Sequence, residues 1–178
     1  MNYIKLAKTS THNGPGIRTV LFCSGCRNHC PGCQNPETWC FSAGQLYTEE
    51  TEQEILAHIK KPYVAGLTLC GGDPGEFENQ GSCAALASKV KSLGKSVWCY
   101  TGYELEDFLA GGKQFCPDTQ DFLNNIDVLI VGKYKEELKD ITNNNLYRGS
   151  KNQRVLDLPA SLAEGIPVML QGIPNNDI

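Results

Sequence analysis

The chain has 178 residues, too few for two large domains, and with 40% apolar and 20% charged residues it has enough material for a core and too little charge bias for disorder. Sixteen Lys and Arg against twenty Asp and Glu give a net charge of −4, which argues against a surface that neutralises phosphates and so against nucleic acid as a partner. No apolar run reaches the roughly 18 residues that span a bilayer, and the N-terminal MNYIKLAKTSTHNG has no signal-peptide core, so the expectation is a cytoplasmic chain with no membrane partner.

In chain order, the apolar pattern predicts a buried strand over 19–23 (TVLFC). A helix follows, opened by a Thr51 and Glu54 capping box, carrying Ile55, Leu56 and Ile59 and stopped by Pro62. A second strand covers 67–70 (LTLC), and the next helix sets Leu86, Val90 and Leu93 on one face with Gly94 as its cap. Strands over 96–100 (SVWCY) and 128–131 (VLIV) flank a short apolar stripe of Leu105, Phe108 and Leu109, and weaker strands read over 155–158 and 167–170. Strands alternating with helices predict one α/β domain over 1–178, built on a parallel sheet, with 159–178 as a tail of unassigned role. Ligands of such folds sit beyond the carboxyl ends of the strands, so the loops after Cys23, Cys70, Tyr100 and Val131 are expected to share one face.

Nine cysteines are an odd number and too few for a disulfide scaffold, so reduced thiols with a function are expected. Five of them fall in one window, Cys23-SG-Cys26-RNH-Cys30-PG-Cys33-QNPETW-Cys40. A four-cysteine zinc site is one reading, although its two pairs would be only three residues apart. A four-thiolate ferredoxin-type cluster that counts Cys23 is another, although the spacing departs from the bacterial run. The third reading takes Cys26, Cys30 and Cys33 as a C-x3-C-x2-C triplet that holds a four-iron cluster at three corners. The fourth iron is then open to a small molecule, and Cys23 is the end of a strand. Cys40, Cys70, Cys83, Cys99 and Cys116 read as packed thiols, His12 and His58 as surface residues, and His29 as a loop residue with no need to bind iron.

The triplet resembles the signature of the radical S-adenosylmethionine enzymes. Around it lie Asn13-Gly14-Pro15-Gly16-Ile17-Arg18, Trp39, Gly71-Gly72-Asp73-Pro74, Tyr100-Thr101-Gly102-Tyr103, Gly132-Lys133-Tyr134, Tyr147-Arg148-Gly149-Ser150 and Asn152-Gln153. Their order is similar to that in the family that activates anaerobic ribonucleoside-triphosphate reductase, over about residues 2–158. The resemblance implies an open, partial (β/α) barrel with a gap that admits a glycine loop. It implies a 4Fe-4S cluster on Cys26, Cys30 and Cys33, and S-adenosylmethionine held by Gly32, Cys33, Gln34, Gly71, Gly72 and Asp73. Reductive cleavage of that cosubstrate would give a radical that takes a hydrogen atom from a glycine Cα of the reductase, with a flavodoxin-like protein as electron donor. Activation of another glycyl-radical enzyme such as pyruvate formate-lyase, or a non-catalytic zinc or iron–sulfur module, are the alternatives. Two departures from the superfamily stand out: Gly32 and Gln34 replace aromatic residues around the third Cys, and Val131 stands where relatives often carry Asp. Lys133 and Arg148 read as holders of a carboxylate or of the partner protein. A valine at Gly72 is expected to spare the cluster and obstruct the cosubstrate.

Overall fold

Four apolar, β-branched stretches form the centre of a sheet, because strands buried on both faces need near-continuous apolar runs. They are β2 (Ile17–Cys23), β4 (Val64–Gly71), β5 (Ser96–Tyr100) and β6 (Val128–Val131), all parallel. The computed structural model of the chain describes residues 1–141 and 147–172; the last six residues of the predicted tail lie outside the described residues. The full sheet has seven strands in the order β3-β1-β2-β4-β5-β6-β7, with β1 at Asn2–Ser10, β3 at Gln45–Leu46 and β7 at Arg154–Asp157. It is an open, partial barrel.

The predicted all-parallel alternation holds for the central four strands and fails at both edges. Strand β1 runs antiparallel to β2 and to β3, and β7 runs antiparallel to β6. The reason is the connections: a parallel return needs a crossover of a dozen or more residues, usually a helix. Only residues 11–16 join β1 to β2, and the described part of the β6–β7 connection holds just the 3-10 turn Glu136–Leu138. The stretch 167–170 adds a bridge from Met169 to Leu156 and forms no strand.

Helix α1 (Glu49–Ile59) begins one turn earlier than predicted. Thr48, not Thr51, is its cap: the Thr48 hydroxyl accepts from the Thr51 amide at 3.4 Å, and Glu49, Glu50 and Glu52 face the positive end of the helix dipole. Helix α2 (Phe77–Ser92) ends as expected, with Gly94 in the left-handed region at φ +71°. The Leu105 stripe is a 3-10 turn, Leu105–Phe108; helix α3 (Thr119–Asn124) and helix α4 (Leu158–Glu164) follow.

The helical side of the sheet buries Leu21, Ile55, Leu69, Leu86, Val97, Leu129 and Leu156 in one core. The concave side buries Trp98, Val128, Ile130 and Val155, and near the amino ends of the strands it also buries Arg18 completely. The Arg18 guanidinium lies over the Trp98 ring and donates to Thr68 Oγ1 (2.7 Å), Ser96 Oγ (3.0 Å), the Leu67 carbonyl (2.5 Å) and the Ser96 carbonyl (3.1 Å). Burial lowers its pKa to about 10. Among the described residues no helix is long and apolar enough to cross a membrane.

His58 is a correction: it is buried rather than superficial, with Nδ1 3.0 Å from Thr19 Oγ1. Desolvation lowers its pKa below the ordinary 6.5. The folded chain therefore resists the proton that the unfolded chain accepts, so this stability is present above about pH 6.5 and is lost as the pH falls toward the lower folded value. Denaturant titrations of His58→Gln across this range should give a flatter pH dependence than the wild type. Parallel curves would assign the acid sensitivity to another group.

Candidate functional site

The parallel register delivers four loops to one end of the sheet. Cys23 pairs with Gly71, Leu69 with Cys99, and Tyr100 with Ile130, so β2, β4, β5 and β6 stop at nearly one level. The loops after them line a single cavity of about 740 Å³, a size suited to a cofactor or a small ligand. Cys26, Cys30 and Cys33 come from the first loop, Gly71, Gly72 and Asp73 from the second, Thr101 and Gly102 from the third, and Gly132 and Tyr134 from the fourth. Gln34 also reaches it.

Gly32 does not. It sits in a turn at φ +69°, and that left-handed backbone accounts for the glycine; a Cβ there would meet only the movable end of the Glu136 side chain. Cys23 is also elsewhere: it is fully buried at the end of β2 with its sulfur 3.8 Å from that of Cys83. Its position fits the triplet reading, in which it is a strand residue. Cys40 is exposed rather than packed, with its thiol 3.2 Å from the Ser42 hydroxyl. Cys116 is half-buried, and Cys70 is buried in the wall of the cavity.

The first and second loops are joined backbone to backbone. The Gly72 amide donates to the Cys23 carbonyl at 2.7 Å and the Asp73 amide to the Gly25 carbonyl at 2.8 Å. Asn79, on the first turn of α2, donates to the carbonyls of Ser24 (3.0 Å) and Asp73 (2.9 Å). At Gly71, which has φ +97°, a Cβ would stand 2.7 Å from Phe22 backbone atoms; at Gly72 it would stand 2.5 Å from the Gly25 carbonyl oxygen. The glycines therefore permit the contact between the two loops, and the expectation that a valine at 72 would spare the Cys loop is corrected: its first obstacle is that loop.

Two buried carboxylates complete the joint. Asp73 accepts from the Gly75 and Gly102 amides, both at 2.9 Å, and from Asn28 Nδ2 at 3.2 Å, tying the first, second and third loops together. Burial raises its pKa to about 7. Glu76, fully buried, accepts from the Arg27 amide (2.7 Å), the Arg27 guanidinium (2.5 Å) and the Tyr103 hydroxyl (2.9 Å). It thereby grips the segment between Cys26 and Cys30. Arg27 also pairs with Glu78 at 2.6 Å and lies over the Phe41 ring.

The fourth side is built by the Arg-Gly-Ser and Asn-Gln elements, which prove to be one unit. The Gln153 side-chain oxygen accepts from the amides of Gly149 (2.8 Å) and Ser150 (3.1 Å) while its amide donates to the Gly132 carbonyl (2.9 Å), and Asn152 donates to the Lys133 carbonyl (2.8 Å). Arg148 lines the cavity and pairs with Asp140, whereas Lys133 is exposed and not part of the lining.

The donor set fits an iron–sulfur group. All three cysteines are reduced, two are buried, and burial pushes Cys26 up to about 12 with the Asp73 carboxylate adding to the shift. Such a thiol ionises only against a cation, and thiolates are the natural ligands of these clusters. Among the described residues no three His, Cys, Asp or Glu groups converge on a point fit for one metal ion. A polynuclear cluster needs no such convergence, because each ligand meets a different iron.

An open α/β barrel with a cysteine-lined cavity at the carboxyl ends of its strands defines the class as an iron–sulfur cluster domain, and residues 12–156 match the model of the 4Fe-4S single cluster domain. The chain is 41% identical over 157 residues to the anaerobic ribonucleoside-triphosphate reductase-activating protein of Enterobacteria phage T4, covering 87% of this chain and 93% of that one. It is 37% identical to the protein of that name from Salmonella typhi and 35% to that from Escherichia coli K12, each over 159 residues, 87% of this chain and 97% of theirs. The chain belongs to the family of anaerobic ribonucleoside-triphosphate reductase-activating proteins.

Gly72→Ala should lower stability by about 1–3 kcal/mol, the usual cost of forcing atoms into a packed site, and should reduce iron retention in parallel. Denaturant midpoints and iron analysis after anaerobic reconstitution measure both. Two unchanged values would mean that the Gly25 carbonyl yields without disturbing Cys26.

Proposed function

We propose that this chain activates an anaerobic ribonucleoside-triphosphate reductase by generating a glycyl radical on it, as a radical S-adenosylmethionine enzyme. The observation that carries the reading is one cavity lined by Cys26, Cys30 and Cys33 together with the Gly71-Gly72-Asp73 loop, in a chain whose relatives bear the activating protein's name. Bound in it, a 4Fe-4S cluster and S-adenosylmethionine would supply reductive sulfonium cleavage and a radical able to take hydrogen from a glycine Cα.

The chain's own residues bind, orient and enclose. Cys26, Cys30 and Cys33 would hold the cluster as thiolates, one ligand short of a fully protein-ligated site. The amides of Gly72 and Asp73 are spent on the Cys loop and the Asp73 carbonyl on Asn79 and the Glu76 amide, so the Gly71 and Gly72 carbonyls are what would meet the methionine ammonium, a donor that needs acceptors. Cys33 and Gln34 pass the adenosyl group, and Gly32 supports them from behind through its turn. Glu76 and Asp73 hold the cluster loop in place through Arg27 and Asn28. A flavodoxin-like protein supplies the electron; the aromatic depression of His29, Trp39 and Phe41 beside Cys26 supports its approach from that side. His29 stacks on Trp39 with ring centroids 4.7 Å apart.

Alanine at Cys26, Cys30 or Cys33 should in each case abolish the broad visible absorption of the anaerobically reconstituted protein, while Cys23→Ala keeps it. Loss of iron in Cys23→Ala would restore the four-thiolate reading.

With S-adenosylmethionine, a reductant and the reductase, the protein should produce a doublet in electron paramagnetic resonance that disappears when the reductase's acceptor glycine is alanine. A doublet on pyruvate formate-lyase and none on the reductase would move the target to another glycyl-radical enzyme.

A further inference from the structure

The guanidinium of Arg148 is buried at the cavity and incompletely used. Its side chain and that of Asp140 are each only 3% exposed, with Nε 3.0 Å from the Asp140 carboxylate. One terminal nitrogen, Nη1, donates to the Gln153 carbonyl at 3.3 Å. The other, Nη2, is buried and has no acceptor among the described residues, although Arg148 lines the same cavity as the three cysteines. Buried donors are almost always paired, so one left without an acceptor in a residue of the cavity wall marks a guanidinium that a ligand atom completes once a small turn of the side chain brings Nη2 to the cavity surface.

The surroundings hold this group in place. Tyr147 adopts φ +52°, a left-handed conformation unfavourable for an aromatic residue. Its ring meets Trp98 edge-on at 5.3 Å. Strain of this kind persists where the surroundings enforce it. On the other side of Arg148, Gln153 pins the next two amides. The connection that carries Arg148 joins β6 to β7, the last strand of the open sheet.

Charge selects the acceptor. Asp140 already neutralises the guanidinium, and a second carboxylate would have to sit beside the first. An uncharged carbonyl oxygen needs one N–H and brings no charge into this pocket.

We infer that Arg148 receives a backbone carbonyl of the target protein's glycine segment and so positions that segment in the cavity. The inference rests on the proposed function, and it leaves the carboxylate of S-adenosylmethionine to other groups.

Arg148→Lys tests it, because lysine keeps a cation for Asp140 and withdraws the Nη2 donor. Affinity for the reductase, measured by fluorescence anisotropy on the iron-loaded protein, should weaken about tenfold, the loss expected of one charge-assisted hydrogen bond. Affinity for S-adenosylmethionine, measured by calorimetry, should stay within about twofold of the wild type on the same scale. A cosubstrate affinity that falls tenfold with reductase binding unchanged would assign the donor to the cosubstrate carboxylate and overturn the inference. Two unchanged affinities would overturn it as well. If Arg148→Lys fails to fold, the double variant Asp140→Asn with Arg148→Gln buries no unpaired charge and is read by the same two measurements. A wild type that binds neither partner would instead defeat the proposed function itself.

Discussion

Everything at the site depends on the close approach of two backbones at the carboxyl ends of β2 and β4. The hydrogen bonds from Gly72 to Cys23 and from Asp73 to Gly25 leave no room for a side chain at positions 71 and 72. The loop that carries the cysteines is consequently not an independent metal-binding finger. It is shaped by the neighbouring strand, and that strand is held in the central sheet by its own apolar run. A chain that lost the register of β2 against β4 would lose the geometry of the cavity with it.

Buried polar groups do the rest of the positioning. Asp73 and Glu76 are desolvated, which is costly unless their oxygens find donors, and both find them on the first and third loops. The cost and its compensation together make the loops interdependent: Asn28 and Gly102 must be in place for Asp73, and Arg27 and Tyr103 for Glu76. Gln153 plays the same part on the opposite wall with a neutral amide. Much of the cavity wall is thus fixed by hydrogen bonds between loops, while the helical side behind the sheet is fixed by apolar packing.

That division explains what the amino-acid sequence disclosed. Strands β5 and β6 were legible to the residue, and β2 and β4 in their cores, because continuous apolar runs bounded by turn residues have few other uses. The cysteine triplet was legible from spacing alone as one of three readings. Strand β1 was not, since its side chains are mostly half-exposed and follow no strict alternation. The direction of β7 was not either, because a strand's periodicity carries no information about its sense. Helix α3 has only six residues, too few to display a helical period around Phe122 and Leu123. Glu76 was invisible for a different reason. Its partners Arg27 and Tyr103 lie 49 and 27 residues away, so nothing local marks it. Thr51 in place of Thr48 was a choice between two threonines followed three residues later by an acidic or hydroxyl side chain, and tertiary packing decided it by burying Thr51.

Arg18 has a consequence for traffic through the molecule. With Trp98 beneath its guanidinium and four neutral oxygens around it, it seals the base of the half-barrel near the amino ends of the strands. If the cavity takes both a small molecule and a protein segment, as proposed above, both reach it from the carboxyl ends of the strands. With the two proposed occupants, the one that goes deepest would enter first and leave last, and a docked protein would trap whatever lies behind it.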